Sequence, residues 1–321
     1  MRTIPVLLFA AFAIALPLAL AAGGQLFYVG FASRVLIYAL AATSLNLVLG
    51  YGGMVSFGHA AFVGAGAYTA SILLAEGIAT AWVGWPAAML VAALLALAFG
   101  AISLRTRGVY FIMITLAFAQ MMFYLSNSIK AYGGDEGLTL PRRADFGLGI
   151  DLANEIVFYY VALALLGAAL YALARLAGSR FGRAILAIRV NEARAEAIGF
   201  PVRRYKLLCF VVGGAVGGLA GALLASHGKY VNPNVFHWTQ SGTLMIMVIL
   251  GGVGRLWGGV LGAGALLGLE HLIAEVRIDW LAALAPNYAQ HANLGVGLVL
   301  LAVVLFAPRG LADLFTRRRD G

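Results

Sequence analysis

The stretch that decides the reading is residues 178–206, GSRFGRAILAIRVNEARAEAIGFPVRRYK, the longest water-soluble island in an otherwise oily chain. It carries Arg180, Arg183, Arg189, Arg194, Arg203, Arg204 and Lys206 against Glu192 and Glu196. A basic segment between two apolar spans belongs on the cytoplasmic face by the positive-inside rule. Within it, Ile185, Ile188, Ala195 and Ile198 recur at helical spacing, Gly199 supplies a stop and Pro201 follows, which predicts a short amphipathic helix over 184–198. Such a helix either lies on lipid or docks into another protein.

Outward from this segment the chain is membrane material. Of its 321 residues 62% are hydrophobic and 11% charged, with a mean hydropathy of +0.93, whereas a soluble domain is about 25% charged. The net charge of +9 sits at the ends of apolar spans rather than on one soluble face, which argues for orientation in a bilayer and against nucleic acid. The single cysteine, Cys209, excludes an intrachain disulfide and a cysteine metal cluster.

Runs long enough to cross ~30 Å of hydrocarbon fall at 4–22, 29–49, 55–75, 82–104, 109–129, 155–176, 207–226 and 256–275, with shorter ones at 242–253 and 294–307. The expectation is an all-α polytopic membrane protein, one transmembrane domain over 1–321 with about ten transmembrane helices. Arg105 and Arg107, the 178–206 segment, Arg255, and Arg309 with Arg317–Arg319 follow the even-numbered spans, which puts both termini in the cytoplasm. The 50–53 junction is the uncharged exception. Residues 130–154 form the largest external loop, whose Asp135, Glu136, Arg142, Arg143 and Asp145 are read either as a docking rim or as solvated charge. The first span also fits a cleaved signal peptide, because Ala19-Leu20-Ala21 follows a basic start. The alanine richness it shares with the other spans favours a retained helix.

Small residues mark where helices touch. Gly213, Gly217 and Gly221, and again Gly254, Gly258 and Gly262, stand four residues apart, the interval that lets helix backbones approach in a bilayer. A second cluster at 50–71, GYGGMVSFGHAAFVGAGAYTAS, breaks the chain at Gly50, Gly52 and Gly53, with Ser56 placed to cap the restarting helix. Glycine-interrupted segments point to a transport pathway. The mildly polar residues inside the spans are Asn46, Ser56, His59, Thr115 and Gln120, candidates to line it. His59 reads first as a neutral, hydrogen-bonded packing residue and second as a pathway residue. Glu270 and His271 are assigned to the outer end of their span.

Residues 50–70, GGDEGLTLPRR at 133–143, FGRAILAIRVNEARAEAIG at 181–199 and LGGVGRLWGGVLGAGAL at 250–266 resemble, in consistent order over nearly the whole chain, the permeases of bacterial ABC importers for branched-chain amino acids. The likeness is nearer to the M-type than to the H-type permease. It implies a bacterial inner-membrane importer that assembles with an H-type permease, two cytoplasmic ATPases and a periplasmic substrate-binding protein. It also implies that 178–206 holds the coupling helix that docks on an ATPase, with Glu192, Ala193, Glu196, Ala197 and Gly199 at the motif positions and Arg194 departing from an alanine. Urea and short-chain amide permeases share this layout and stand as the alternative cargo.

The residues agree with a passive subunit. There is no phosphate-binding Gly-x-x-x-x-Gly-Lys-Ser/Thr loop, so ATP is expected on the partners and no cofactor on this chain. The spans are nearly bare of the acidic residues that a proton- or sodium-coupled carrier needs, which argues against a stand-alone secondary transporter. His59, His227, His237, His271 and His291 show no paired ligand spacing, so neither a metal site nor an enzyme is expected.

Overall fold

A computed structural model describes residues 13–21, 23–78, 80–147, 151–275, 297, 301 and 310–314. After a leading helical segment at 13–21, helix α1 (Leu26–Asn46) runs into a π-turn at Leu47–Tyr51. Helices α2 (His59–Ala75), α3 (Ala81–Ser103), α4 (Val109–Ser128) and α5 (Glu155–Gly178) follow. The basic segment forms α6 (Arg180–Val190) and α7 (Glu192–Ala197) and leads into α8 (Val202–Gly228). Helices α9 (Trp238–Gly251), α10 (Gly258–Glu275) and the short α11 (Leu311–Leu314) complete the described elements. A two-stranded ribbon pairs β1 (Leu138–Thr139) antiparallel with β2 (Tyr230–Val231).

Among the described residues five helices, Leu26–Tyr51, Ala81–Ser103, Val109–Ser128, Glu155–Gly178 and Val202–Gly228, are long and apolar enough to cross a membrane, and His59–Ala75, Trp238–Gly251 and Gly258–Leu272 are apolar but shorter. The span expected at 55–75 starts late because 53–58 is a turn. Of the expected span 4–22 only 13–21 is described, and of 294–307 only residues 297 and 301. Tyr159 and Tyr160 of α5 donate from their hydroxyls to the carbonyls of Ala13 (2.8 Å) and Ile14 (2.9 Å) in the leading segment.

Helix α8 is the hub, packed by α1, α2 and α3. It can be so closely surrounded because its glycines leave no side chain in the way. Gly213 faces Val48 and the Ser44 carbonyl, Gly217 faces His59, and Gly221 lies on the Val63 carbonyl, while Gly214 and Gly218 meet Ala96 and Ala92 of α3. With no hydrophobic drive inside lipid, these short-range contacts are what hold helices together. Gly258 and Gly262 let α10 cross α9 at Gly251 and Met247. Gly254 departs from the helical spacing expected of it, since it lies in the α9–α10 turn at φ +82° and not on a helix face. Its left-handed backbone, cheap only for glycine, makes that turn possible.

The connections sort onto two sides. On the arginine-rich side the 50–53 junction, the α3–α4 turn, α6–α7 and the 252–257 turn meet through side chains of Arg189, Arg107 and Asn46. On the opposite side Tyr132 reaches Glu76, Thr80 bridges Asp145, the β1–β2 ribbon forms and Arg143 reaches the end of α8.

Candidate coupling and pathway site

The basic segment is built by its caps. Ser179 Oγ accepts from Gly182 N–H (3.3 Å) to open α6, and Asn191 Oδ1 accepts from Arg194 N–H (2.9 Å) to open α7. The helix expected to be continuous over 184–198 is therefore two. Asn191, extended at φ −154° and ψ 99°, ends the first and caps the second, because its side chain replaces the hydrogen bond the helix would have made. Gly199, at φ +88°, provides the stop.

Ile185, Ile188 and Ala195 face the bundle and are buried. Ala193, Glu196, Ala197 and Gly199 are exposed, beside Val190 at 86% and Ile198 at 68% exposure. Ile198 was expected on the apolar face and instead points outward, because the break at Asn191 shifts the register of α7. The two glutamates are committed within the chain. Glu192 pairs with Lys206 (2.7 Å) and Arg107 (3.6 Å), and Glu196 with Arg107 (3.1 Å). Both carboxylates are thus paired within the chain, and α7 presents Ala193 and Ala197 outward beside the half-exposed Glu196.

Arg189 of α6 donates to the Gly50 carbonyl at the end of the π-turn. That turn is also where Asn46 works. Its Nδ2 donates to the Arg255 carbonyl (2.6 Å) and its Oδ1 accepts from Gly254 N–H (2.9 Å), so both ends of the amide clamp the 252–257 turn. Arg189, the π-turn, Asn46 and the α9–α10 turn thus form one chain of contacts from the basic segment into the bundle.

Asn46→Ala is expected to remove both bonds to the half-buried 252–257 turn, at about 1 kcal/mol for each. The purified protein should then unfold at a lower temperature, followed by loss of the monodisperse chromatographic peak on heating. An unchanged midpoint would count against the clamp.

The other polar candidates are placed around α2. His59 is fully buried, its Nε2 2.7 Å from Ser44 Oγ, and Ser44 in turn donates to the Ala41 carbonyl (2.7 Å). Since that hydroxyl has one proton, the contact takes the form of Nε2–H donating to Ser44, which leaves the buried Nδ1 of His59 without a hydrogen-bond partner between α1, α2 and α8. Ser56 Oγ accepts from Gly58 N–H (3.2 Å) in the turn opening α2, and Ser241 Oγ accepts from Ala60 N–H (2.8 Å), so two serines serve the orphan donors of that helix start. Thr115 accepts from Phe57 N–H (3.3 Å), whereas Gln120 is half-buried farther along α4. Asn46, Ser56 and His59 thus cluster near the break before α2, and Gln120 does not join them.

Arg143 is the residue most misjudged from sequence. Expected in a mixed-charge rim, its side chain is 3% exposed and bonds Glu155 (2.5 Å) and the carbonyls of Leu152 (2.9 Å), Ser226 (3.1 Å) and His227 (3.4 Å), over the Phe158 ring. It caps the C-terminal end of α8, where a cation meets unsatisfied carbonyls, while Glu155 sits in the first turn of α5, where an anion is favoured. Ser44, Ser241, Arg107 and Lys206 also carry this site. Nothing in their sequence neighbourhoods announces it, since their partners are distant in the chain. His271 of α10 stacks on Phe31 of α1 at 4.6 Å. Among the described residues no group of three His, Cys, Asp or Glu is placed to hold a metal ion.

The chain matches the family model described as branched-chain amino acid transport system / permease component over residues 27–306. It is 28% identical over 306 residues to the high-affinity branched-chain amino acid transport system permease protein LivM of Escherichia coli (strain K12), covering 88% of this chain and 69% of the relative. It is 25% identical over 293 residues to the corresponding LivH protein of Salmonella typhimurium, covering 85% of this chain and 90% of the relative. A probable branched-chain amino acid transport permease protein LivM of Methanocaldococcus jannaschii is 24% identical over 324 residues, covering 86% and 90%. No solved structure matches. A glycine-packed bundle of apolar helices, with its cationic turns gathered on one side and a family match across 27–306, makes this chain a multi-pass membrane protein of the branched-chain amino acid transport permease family.

Proposed function

We propose that the chain is the M-type permease of an ATP-driven importer, passing leucine, isoleucine or valine from a periplasmic binding protein to the cytoplasm of a bacterial cell. It works as one domain over 1–321 with about ten spans in the inner membrane, both termini inside, beside an H-type permease and above two ATPases that bind the ATP. Residues 178–206 face the cytoplasm and 130–154 face the binding protein. The clustering of Arg107, Arg189 and Arg255 on one side supports this orientation. The relatives named above are all branched-chain amino acid transport permease proteins, which favours that cargo over urea.

One observation carries the reading: α7 is a short, braced helix that exposes Ala193 and Ala197, with Ile198 just beyond its end, beside Arg194 and Glu196. Small alanines allow close seating in a partner's cleft, and the brace passes a push onward. A displacement of α6 pulls on the Gly50 carbonyl through Arg189, and from there on Asn46 and the α9–α10 turn. This suits a rigid-body handle better than a lipid-surface helix, whose apolar face would have to be continuous and buried in the interface.

The test uses the sole cysteine's burial. Cys209 is inaccessible, so Ala193→Cys introduces the one reactive thiol. In the co-expressed complex, a short bifunctional crosslinker at that thiol is expected to join the permease to an ATPase subunit. Crosslinks that reach only lipid or nothing, in a complex that still hydrolyses ATP, would sink the coupling role.

A further inference from the structure

We infer that the crevice beside α7 is a second, weak binding site for a free α-amino acid on the arginine-rich side, through which accumulated cargo slows its own import. The identity of the ligand and the role of α7 rest on the function proposed above. The crevice lies between residues 53–55, the α3–α4 turn, the first turn of α4, and α7 with the start of α8, and has a volume of about 210 Å³. That is below the ~300–1,000 Å³ of sites for drug-sized ligands, on the scale of one small molecule.

Its walls match a zwitterion with an aliphatic side chain. Arg107 and Lys206 offer cations for a carboxylate, Glu192 offers an anion for an ammonium group, and Met54, Val55 and Ile112 form an apolar surface beside them. A nucleotide would need more room, and a fatty acid would leave Glu192 facing an apolar ligand. The charges are already paired, Lys206 with Glu192 and Arg107 with Glu196 and Glu192. Arg107 is 66% exposed at its side chain and Glu196 46%, so their pair is weak and exchangeable. A ligand carboxylate on Arg107 would replace Glu196, and its ammonium would take the place Arg107 now holds near Glu192. Those are the ties that fasten α7 to the α3–α4 turn. An occupied crevice therefore loosens the helix on which the motor acts.

The experiment is import by the complete complex in liposomes, with ATP inside and the binding protein outside. The initial rate of labelled leucine uptake is compared between vesicles preloaded with unlabelled leucine and vesicles preloaded with 4-methylpentanoate, the same skeleton without the amino group. Preloaded leucine is expected to lower the rate about fivefold, the small end of coupling between distinct sites, and 4-methylpentanoate to leave it unchanged. Ile112→Trp fills the crevice, and the ratio between its own preloaded and empty rates should return to about 1 on the same scale. Equal rates in preloaded and empty wild-type vesicles, or equal slowing of the Ile112→Trp complex, overturn the site. If empty vesicles take up no leucine at all, the amino-acid reading itself fails. Equilibrium dialysis of labelled leucine against the purified permease then decides the crevice separately: binding that Ile112→Trp abolishes supports it, and no binding to the wild type overturns it.

Discussion

Replacing Gly221 by leucine is expected to leave no properly folded permease, and even Gly221→Ala should cost about 3 kcal/mol, the upper end of overpacking penalties. A Cβ at Gly221 would run into the Val63 carbonyl oxygen and lie 2.8 Å from its carbon and 2.9 Å from the Ala67 nitrogen. Those neighbours are the backbone of α2, which cannot rotate aside as a side chain would, so α2 and α8 must separate. Moving them apart loses dispersion along the whole contact, and lipid offers no compensating drive to hold them. Gly167 on α5 is the control, because a Cβ there meets nothing within 4 Å. Thermal unfolding of the detergent-purified proteins should show Gly167→Ala close to the parent and Gly221→Ala far below it. Coincident curves would mean that the close approach of α2 and α8 is not what holds the bundle.

Arg143→Ala should cost about 1–3 kcal/mol for each buried carbonyl it leaves unsatisfied, with a smaller share from the half-exposed Glu155. It leaves Glu155 without its cation and strips donors from the carbonyls of Leu152, Ser226 and His227. Arg143→Lys keeps the charge but not the planar fork, so one ammonium cannot reach acceptors spread around the guanidinium, and an intermediate loss is expected. Because Arg143 joins the 130–154 loop to the ends of α5 and α8, the damage should appear first as protease sensitivity within that loop and then as a lowered unfolding temperature. Arg142→Ala, at the exposed neighbour, should change neither. If the two alanine variants behave alike, the buried anchor is not the element that secures the loop.

The contrast between these adjacent arginines shows how far sequence reasoning reaches. Apolar runs, the glycine interval on α8, the stop at Gly199 and the side on which basic residues gather are all local or periodic, and each follows from the chain itself. Asn46 shows the other case. A polar residue inside an apolar run reads as a pathway lining, yet it clamps a turn more than 200 residues away in the chain. Glu192 and Glu196 likewise read only as motif positions four residues apart. Lys206 and Arg107 turned out to hold them, the latter coming from a different helix turn. The break at Asn191 was written in the sequence as a residue that caps well, but a helix-compatible neighbourhood on both sides masked it.

Composition and period alone determined that this is a helical membrane protein and which connection bears the basic charge, because transfer into hydrocarbon and helical repeat act on each residue where it stands. Which of two neighbouring arginines is buried, which carboxylates are already paired and which asparagine is a clamp were decided only when distant helices met. A hydrogen bond or ion pair is a relation between two positions, and the chain records only one of them at a time.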